Sequence, residues 1–234
     1  KIKTEEAQPE TILFIGNSYL YYGDSLHNHF RRMVEEYFSG YDASSVKSAT
    51  IGGSRLKHHN VERLIKPKAF SSIEKFDLVI PQGGSGETLT VDSRKEFSYF
   101  VKKHVQTIRE NNSQAALYMT HAYVEQHKKF TENQIKTIAE TYTKVGIENQ
   151  ALVIPVGLAF DLAYQKQPSI RLHKFDGSHP SLLGTYLAAC TVFSSIYGES
   201  PIGLKYDYFG TINEKDKMFL QETADKATSM FFNK

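Results

Sequence analysis

The chain is poor in cysteine, in net charge and in long apolar runs, and each shortage excludes something. Its single cysteine, Cys190, can form no disulfide within the chain. Cys190 lies in the apolar run Leu187-Ala188-Ala189-Cys190, where a buried small hydrophobe is expected rather than a nucleophile. Net charge is only +2, from 28 basic and 26 acidic residues. No block of like charge stands out, so neither a nucleic-acid groove nor a membrane-binding face is expected. No stretch is apolar for long enough to span a bilayer. There is no Gly-x-x-x-x-Gly-Lys phosphate loop, no Gly-x-Gly-x-x-Gly fingerprint and no Gly-x-Ser-x-Gly elbow. There is no His-Glu-x-x-His either. His27 and His29 are two apart and face different sides of a helix, and His58 and His59 are adjacent with no carboxylate or cysteine at ligand spacing. No metal and no cofactor is therefore expected.

What the chain does have is bulk. Of its 234 residues 40% are hydrophobic, with 15 Phe and 14 Tyr, enough for a substantial core. We read residues 1–234 as one domain, with 1–10 a polar N-terminal extension. The chain opens on Lys1 rather than Met, which reads as a trimmed or mature form and favours a periplasmic or secreted location over the cytoplasm. Nothing in the sequence sets an oligomeric state.

Short apolar runs alternate with amphipathic stretches. The runs are Thr11–Ile15, Ser45–Thr50, Asp77–Pro81, Ala115–Thr120 and Leu152–Val156, each suited to a strand buried on both faces. Helical spacing follows Asp24, a plausible N-cap, and Asp92. Thr131 and Gln134 form a capping-box pattern, with Gly146 ending that run. Pro180 is placed as the first residue of a helix reaching about Tyr197, and a last helix starts near Asn213. This alternation predicts a three-layer α/β/α sandwich with a central parallel sheet. Chemistry is then expected just beyond the carboxyl ends of the strands.

Two segments stand out at such positions. Ser18 follows the first run in Phe14-Ile15-Gly16-Asn17-Ser18, where Gly16 allows a tight exit. Far along the chain, Asp176-Gly177-Ser178-His179-Pro180 places an acid three residues before a histidine, with Gly177 letting the loop turn. With Pro180 at the first helical turn, His179 is the expected N-cap. The helix terminus would disfavour the imidazolium and the carboxylate would favour it, a balance that suits a general base.

The Gly16-Asn17-Ser18 turn and the Asp176-x-x-His179 pair resemble the first and last blocks of SGNH/GDSL hydrolases. That resemblance implies a flavodoxin-like fold and an acyl-enzyme mechanism, with Ser18, Asp176 and His179 as catalytic triad. It also implies oxyanion donors from the backbone of Ser18 and from Gly53, favoured over Gly52, in Ile51-Gly52-Gly53-Ser54. The family's third block normally carries an asparagine donor in Gly-x-Asn-Asp. Here the chain reads Pro81-Gln82-Gly83-Gly84, similar to a branch with a strand-ending glutamine, and Gln82 is the expected third donor.

His121 and Tyr123, after the fourth run, and Tyr19, after the nucleophile, are the expected substrate contacts; Tyr21 and Tyr22 could share that wall. Short polar or aromatic loops favour a small acyl group on a polar carrier. The expected activity is thus a serine esterase, a carbohydrate O-acetylesterase, acting on a small-molecule or glycan ester. The alternatives are a non-catalytic glycan-binding protein on the same fold, or a lipase or thioesterase.

Overall fold

The computed structural model describes residues 8–69 and 71–233. Five strands, β1 (Ile12–Gly16), β2 (Val46–Thr50), β3 (Leu78–Pro81), β4 (Gln114–Tyr118) and β5 (Leu152–Ile154), form one sheet in the order β2-β1-β3-β4-β5. All four pairings are parallel, with Ile12 opposite Val46 and Leu78 and with Ala116 opposite Leu152. The expected fold class is the observed one.

Period-two alternation divides the core into two layers. Ile12, Phe14, Leu78, Ile80, Ala116 and Ile154 point to one face. They pack under α2 (Leu26–Tyr37), α6 (Val156–Lys166), α7 (Leu182–Tyr197) and α8 (Glu214–Phe231). Leu13, Ile15, Val79, Leu117 and Val153 point to the other. They meet α3 (Val61–Leu64), α4 (Val91–Glu110) and α5 (Gln134–Glu148). One more helix, α1 (Ser18–Tyr21), is a single turn directly after β1. The order in which strands are added reverses between β1 and β3, which opens a crevice at their carboxyl ends.

Several local expectations need correction. β2 is an edge strand and half-buried, because only β1 flanks it. Of the polar extension over 1–10, residues 1–7 lie outside the described residues; at its end the Glu10 N–H, with that of Thr11, donates to Asp77 Oδ2, and Tyr197 Oη donates to the Pro9 carbonyl. Asp24 does not cap α2. Ser25 holds that position without a side-chain bond, and Asp24 instead accepts from Tyr208 Oη at 2.6 Å. The Thr131–Gln134 capping box does not form, since the Gln134 side chain accepts from the Tyr123 N–H. α5 runs past Gly146 to Glu148; Gly146 is packed against Val153, where a Cβ would come within 2.4 Å. α7 starts two residues later than expected. Its N-cap is Ser181, whose Oγ accepts from Gly184 N–H, so Pro180 and His179 precede the helix.

Candidate active site

The turn after β1 is fixed by close approach. A Cβ on Gly16 would lie 2.3 Å from Gln82 Oε1 and 2.8 Å from Leu20 Cδ1, so a larger residue would have to push both side chains aside. Gly16 has no left-handed backbone; the tight exit expected of it is a steric requirement instead. Asn17 then stitches the crevice together. Its N–H donates to Gln82 Oε1 at 3.0 Å, its Nδ2 donates to the Ser54 carbonyl at 3.0 Å, and its Oδ1 accepts from Tyr19 N–H at 3.0 Å. Ile51 N–H and Ser54 Oγ both donate to the Gly16 carbonyl, joining the exits of β1 and β2. Asn17 is a part of the motif to which sequence reasoning gave no separate task.

Ser18 opens α1 and is 8% exposed. Its Oγ lies 2.8 Å from His179 Nε2, although the two are 161 positions apart. His179 Nδ1 lies 2.5 Å from Asp176 Oδ2, while Asp176 Oδ1 accepts from the N–H of Ser178 and of His179, each at 2.9 Å. Gly177 takes φ +69°, and a Cβ there would also press on His127 N at 2.7 Å. That turn is what lets Asp176 reach back to the ring three residues on. Partial burial alone would raise the Asp176 carboxyl. The hydrogen bonds from the His179 ring and from the Ser178 and His179 N–H groups outweigh it and hold the carboxyl at about 2. Because α7 begins after Ser181, the orientation of His179 comes from Asp176 and not from a helix terminus.

The N–H groups of Ser18, Gly52 and Gly53 have no hydrogen-bond partner among the described residues. Gly53 carries the left-handed backbone of that loop, at φ +68°. Gln82 departs from the donor role expected of it. It is 1% exposed, its Oε1 holds Asn17 N–H and its Nε2 donates to the Gly83 carbonyl. Both ends of its amide are thus taken up by backbone groups, those of Asn17 and Gly83.

The expected substrate contacts are also placed differently. Tyr19 and His121 are 3% and 1% exposed. Their rings stack at 4.1 Å, and His121 stacks on Phe160 at 4.4 Å. Tyr19 Oη bonds Ser178 Oγ at 2.9 Å and His121 Nε2 donates to the Ser178 carbonyl at 2.7 Å. Both therefore support the Asp176–His179 loop from inside the protein. Burial depresses the His121 imidazole far below its usual range, so it is neutral there. Tyr123 is 5% exposed but does reach a rim. It donates to Ser85 Oγ at 2.8 Å, and its ring stacks on His127 at 3.7 Å.

Two further residues shape the site. Tyr22, one of the three tyrosines considered as a wall, stacks on His179 with ring centroids 4.0 Å apart, and Lys174 Nζ lies 5.2 Å above the Tyr22 ring. Glu87, unmarked in the sequence, is 1% exposed and bridges the loops after β2 and β3 by accepting from Leu56 N–H at 3.3 Å and Gly84 N–H at 2.5 Å. Burial pushes its carboxyl up, partly offset by those two N–H groups.

A parallel sheet in this order, with the crevice beyond β1 and β3, is flavodoxin-like, and likeness to solved structures shows that the chain has the SGNH-hydrolase fold. Among solved structures it is similar to a DUF4886 family protein from Bacteroides uniformis, with TM-score 0.70 and 20% identity over 95% of each chain. It is similar to a catalytic mutant of Axe2, an acetylxylan esterase from Geobacillus stearothermophilus, with TM-score 0.61 and 14% identity over 84% of this chain and 98% of that one. It is also similar to the acetyl xylan esterase AlAXEase, with TM-score 0.59 and 18% identity over 80% and 99% of the two chains. No family model matches the sequence, and no curated protein matches it.

Proposed function

We propose that the protein is a serine esterase that hydrolyses a small acyl ester, an O-acetyl ester of a carbohydrate, through an acyl-enzyme. The observation that carries this reading is the continuous hydrogen-bonded line from Ser18 Oγ through His179 to Asp176, at 2.8 and 2.5 Å. Such a line lets an imidazole take the serine proton as the oxygen attacks a carbonyl carbon.

In the first half-reaction Ser18 Oγ attacks, its proton passes to His179 Nε2, and the ester carbonyl oxygen becomes the oxyanion. His179 then returns the proton to the departing sugar hydroxyl, leaving the acyl group on Ser18. A water repeats the sequence and releases the carboxylic acid. Asp176 remains ionised throughout and holds the Nδ1 proton, which keeps Nε2 free to accept. The backbone N–H groups of Ser18 and Gly53 are the oxyanion donors, each worth about 3 kcal/mol of barrier. Gln82 supports them from beneath through Asn17.

The small acyl group is inferred from the absence of a long apolar insertion beside Ser18. The carbohydrate carrier is inferred from the polar and aromatic surroundings, and the similarity to two acetyl xylan esterases supports it. The test is turnover of p-nitrophenyl acetate by the wild type and Ser18→Ala. The expected result is loss of all but background rate in the variant with unchanged circular dichroism. Equal rates from both proteins would remove the esterase reading.

A further inference from the structure

A groove of about 830 Å³ opens behind the wall that carries Asp176. It lies beyond the carboxyl ends of β4 and β5, lined by Tyr123, Phe130, Phe160, Tyr164, Arg171 and Phe175 among others. Arg171, His173, Lys174 and Phe175 line one side of it, in the segment that leads directly into Asp176, and Tyr123 borders it while its Oη bonds Ser85 of the loop after β3. The volume is far larger than an acetyl group needs and lies in the range that holds whole ligands.

The chemistry of the lining selects the ligand. Phe175, directly before Asp176, is 92% exposed, an apolar ring held out in water. Around it stand Lys174 and Arg171 and, opposite in charge, Glu125, Glu132 and Asp161. Arg171, Lys174, Glu125 and Glu132 form no ion pair among the described residues. A fatty acyl chain laid here could pack on the rings, but it would strip water from these charges without replacing their hydrogen bonds. A sugar chain would not: its hydroxyls donate to the carboxylates and accept from the cations, and its C–H faces pack on exposed rings.

We infer that this groove is a glycan-binding subsite, which holds the sugars next to the esterified one so that the preferred substrate is an acetylated oligosaccharide rather than a monosaccharide. This rests on the esterase reading above and extends it to where the carrier lies. Phe175 is its stacking platform, and Arg171 is its cation toward the sugar oxygens.

The test compares kcat/KM on chemically acetylated xylohexaose and mannohexaose with that on acetylated methyl xyloside and methyl mannoside. p-Nitrophenyl acetate and decanoate are run in parallel. The wild type is expected to favour at least one hexaose over its monosaccharide by about tenfold or more. Phe175→Ala is expected to reduce that preference to about twofold, chiefly through KM, with Phe175→Trp restoring it and Arg171→Ala acting in the same direction. Each value is read as a ratio to p-nitrophenyl acetate, which needs only the triad.

Equal wild-type values for both hexaoses and their monosaccharides would overturn the inference. So would a preference that survives both Phe175→Ala and Arg171→Ala, or a Phe175→Ala loss confined to decanoate, which would make the groove an acyl site. Those results leave the esterase reading standing. Failure of Ser18→Ala to abolish p-nitrophenyl acetate turnover overturns both and is seen independently.

Discussion

The phenol ring of Tyr22 lies almost flat on the imidazole of His179, with centroids 4.0 Å apart and planes 21° from parallel. The backbone behind it is held at several points. Thr185 Oγ1 donates to the Tyr22 carbonyl at 3.0 Å and His29 Nε2 donates to the Gly23 carbonyl at 2.7 Å. Gly23, Asp24 and Ser25 all have positive φ, near +65°. Such a turn persists only where its surroundings over-determine it. The ring is therefore a fixed wall against which the imidazole keeps its orientation, and its π face would attract the imidazolium of the proposed reaction.

Tyr22→Leu should thus lower kcat on p-nitrophenyl acetate by about three- to tenfold, the worth of one partly exposed cation–π contact of roughly 1 kcal/mol. Tyr22→Phe keeps the ring and should keep the rate. Steady-state kinetics on the two variants checks this; an equal loss in both would assign the effect to the hydroxyl.

Gln82 is expected to behave as a support. In Gln82→Ala the buried Asn17 N–H loses its acceptor, which costs about 1–3 kcal/mol. Urea unfolding should show that loss, with kcat falling alongside it. A variant with wild-type stability but a much lower kcat would return Gln82 to the oxyanion.

Acid should destabilise the fold at mild pH. Burial lowers the imidazoles of His27, His59 and His173 to about 4, and it lowers His29, His104 and His121 as well. Between the unfolded value near 6.5 and about 4 the unfolded chain binds more protons than the native one. Stability is therefore full above about pH 6.5 and falls as pH drops, by roughly 1.4 kcal/mol per pH unit for each such histidine. Thermal melts should show Tm level from pH 7.5 to about 6.5 and declining from there to 4.5, and a flat profile throughout would contradict this.

The rate should respond to acid differently. Asp176 is held at about 2, so it stays ionised across mildly acidic pH. Protonation of this carboxylate should then add no step to the acid limb of kcat/KM down to about pH 3 or to unfolding, whichever comes first. A second acid step between about pH 6 and 3 in a folded protein would mean that the carboxylate titrates there.

Much of this architecture is written in local pattern. The five apolar runs became the five strands, since four to six buried residues in a row fit a strand covered by helices. Ser18 and the Asp176–His179 pair were legible because each sits where a strand or helix boundary puts it at the sheet's carboxyl edge. What the sequence could not reveal was which polar side chains turn inward. Tyr19 and His121 have the composition of a binding wall. They are buried because each finds a partner on Ser178, a contact made across 159 and 57 positions. Gln82 turned under the nucleophile because Asn17 N–H, 65 positions away, needed an acceptor. Caps were misjudged for a related reason: Ser181 competes with His179 for the same helix end, and its short hydroxyl reaches the Gly184 N–H.

The measurement that bears most directly on the central claim is covalent labelling with diethyl p-nitrophenyl phosphate followed by peptide mass spectrometry. One diethylphosphoryl group should appear, on the peptide bearing Ser18. It should be absent from Ser18→Ala and form far more slowly on His179→Ala, and its appearance should track loss of p-nitrophenyl acetate turnover. An unlabelled Ser18 in a protein that still turns over the ester, or labelling at the same rate without His179, would contradict the account.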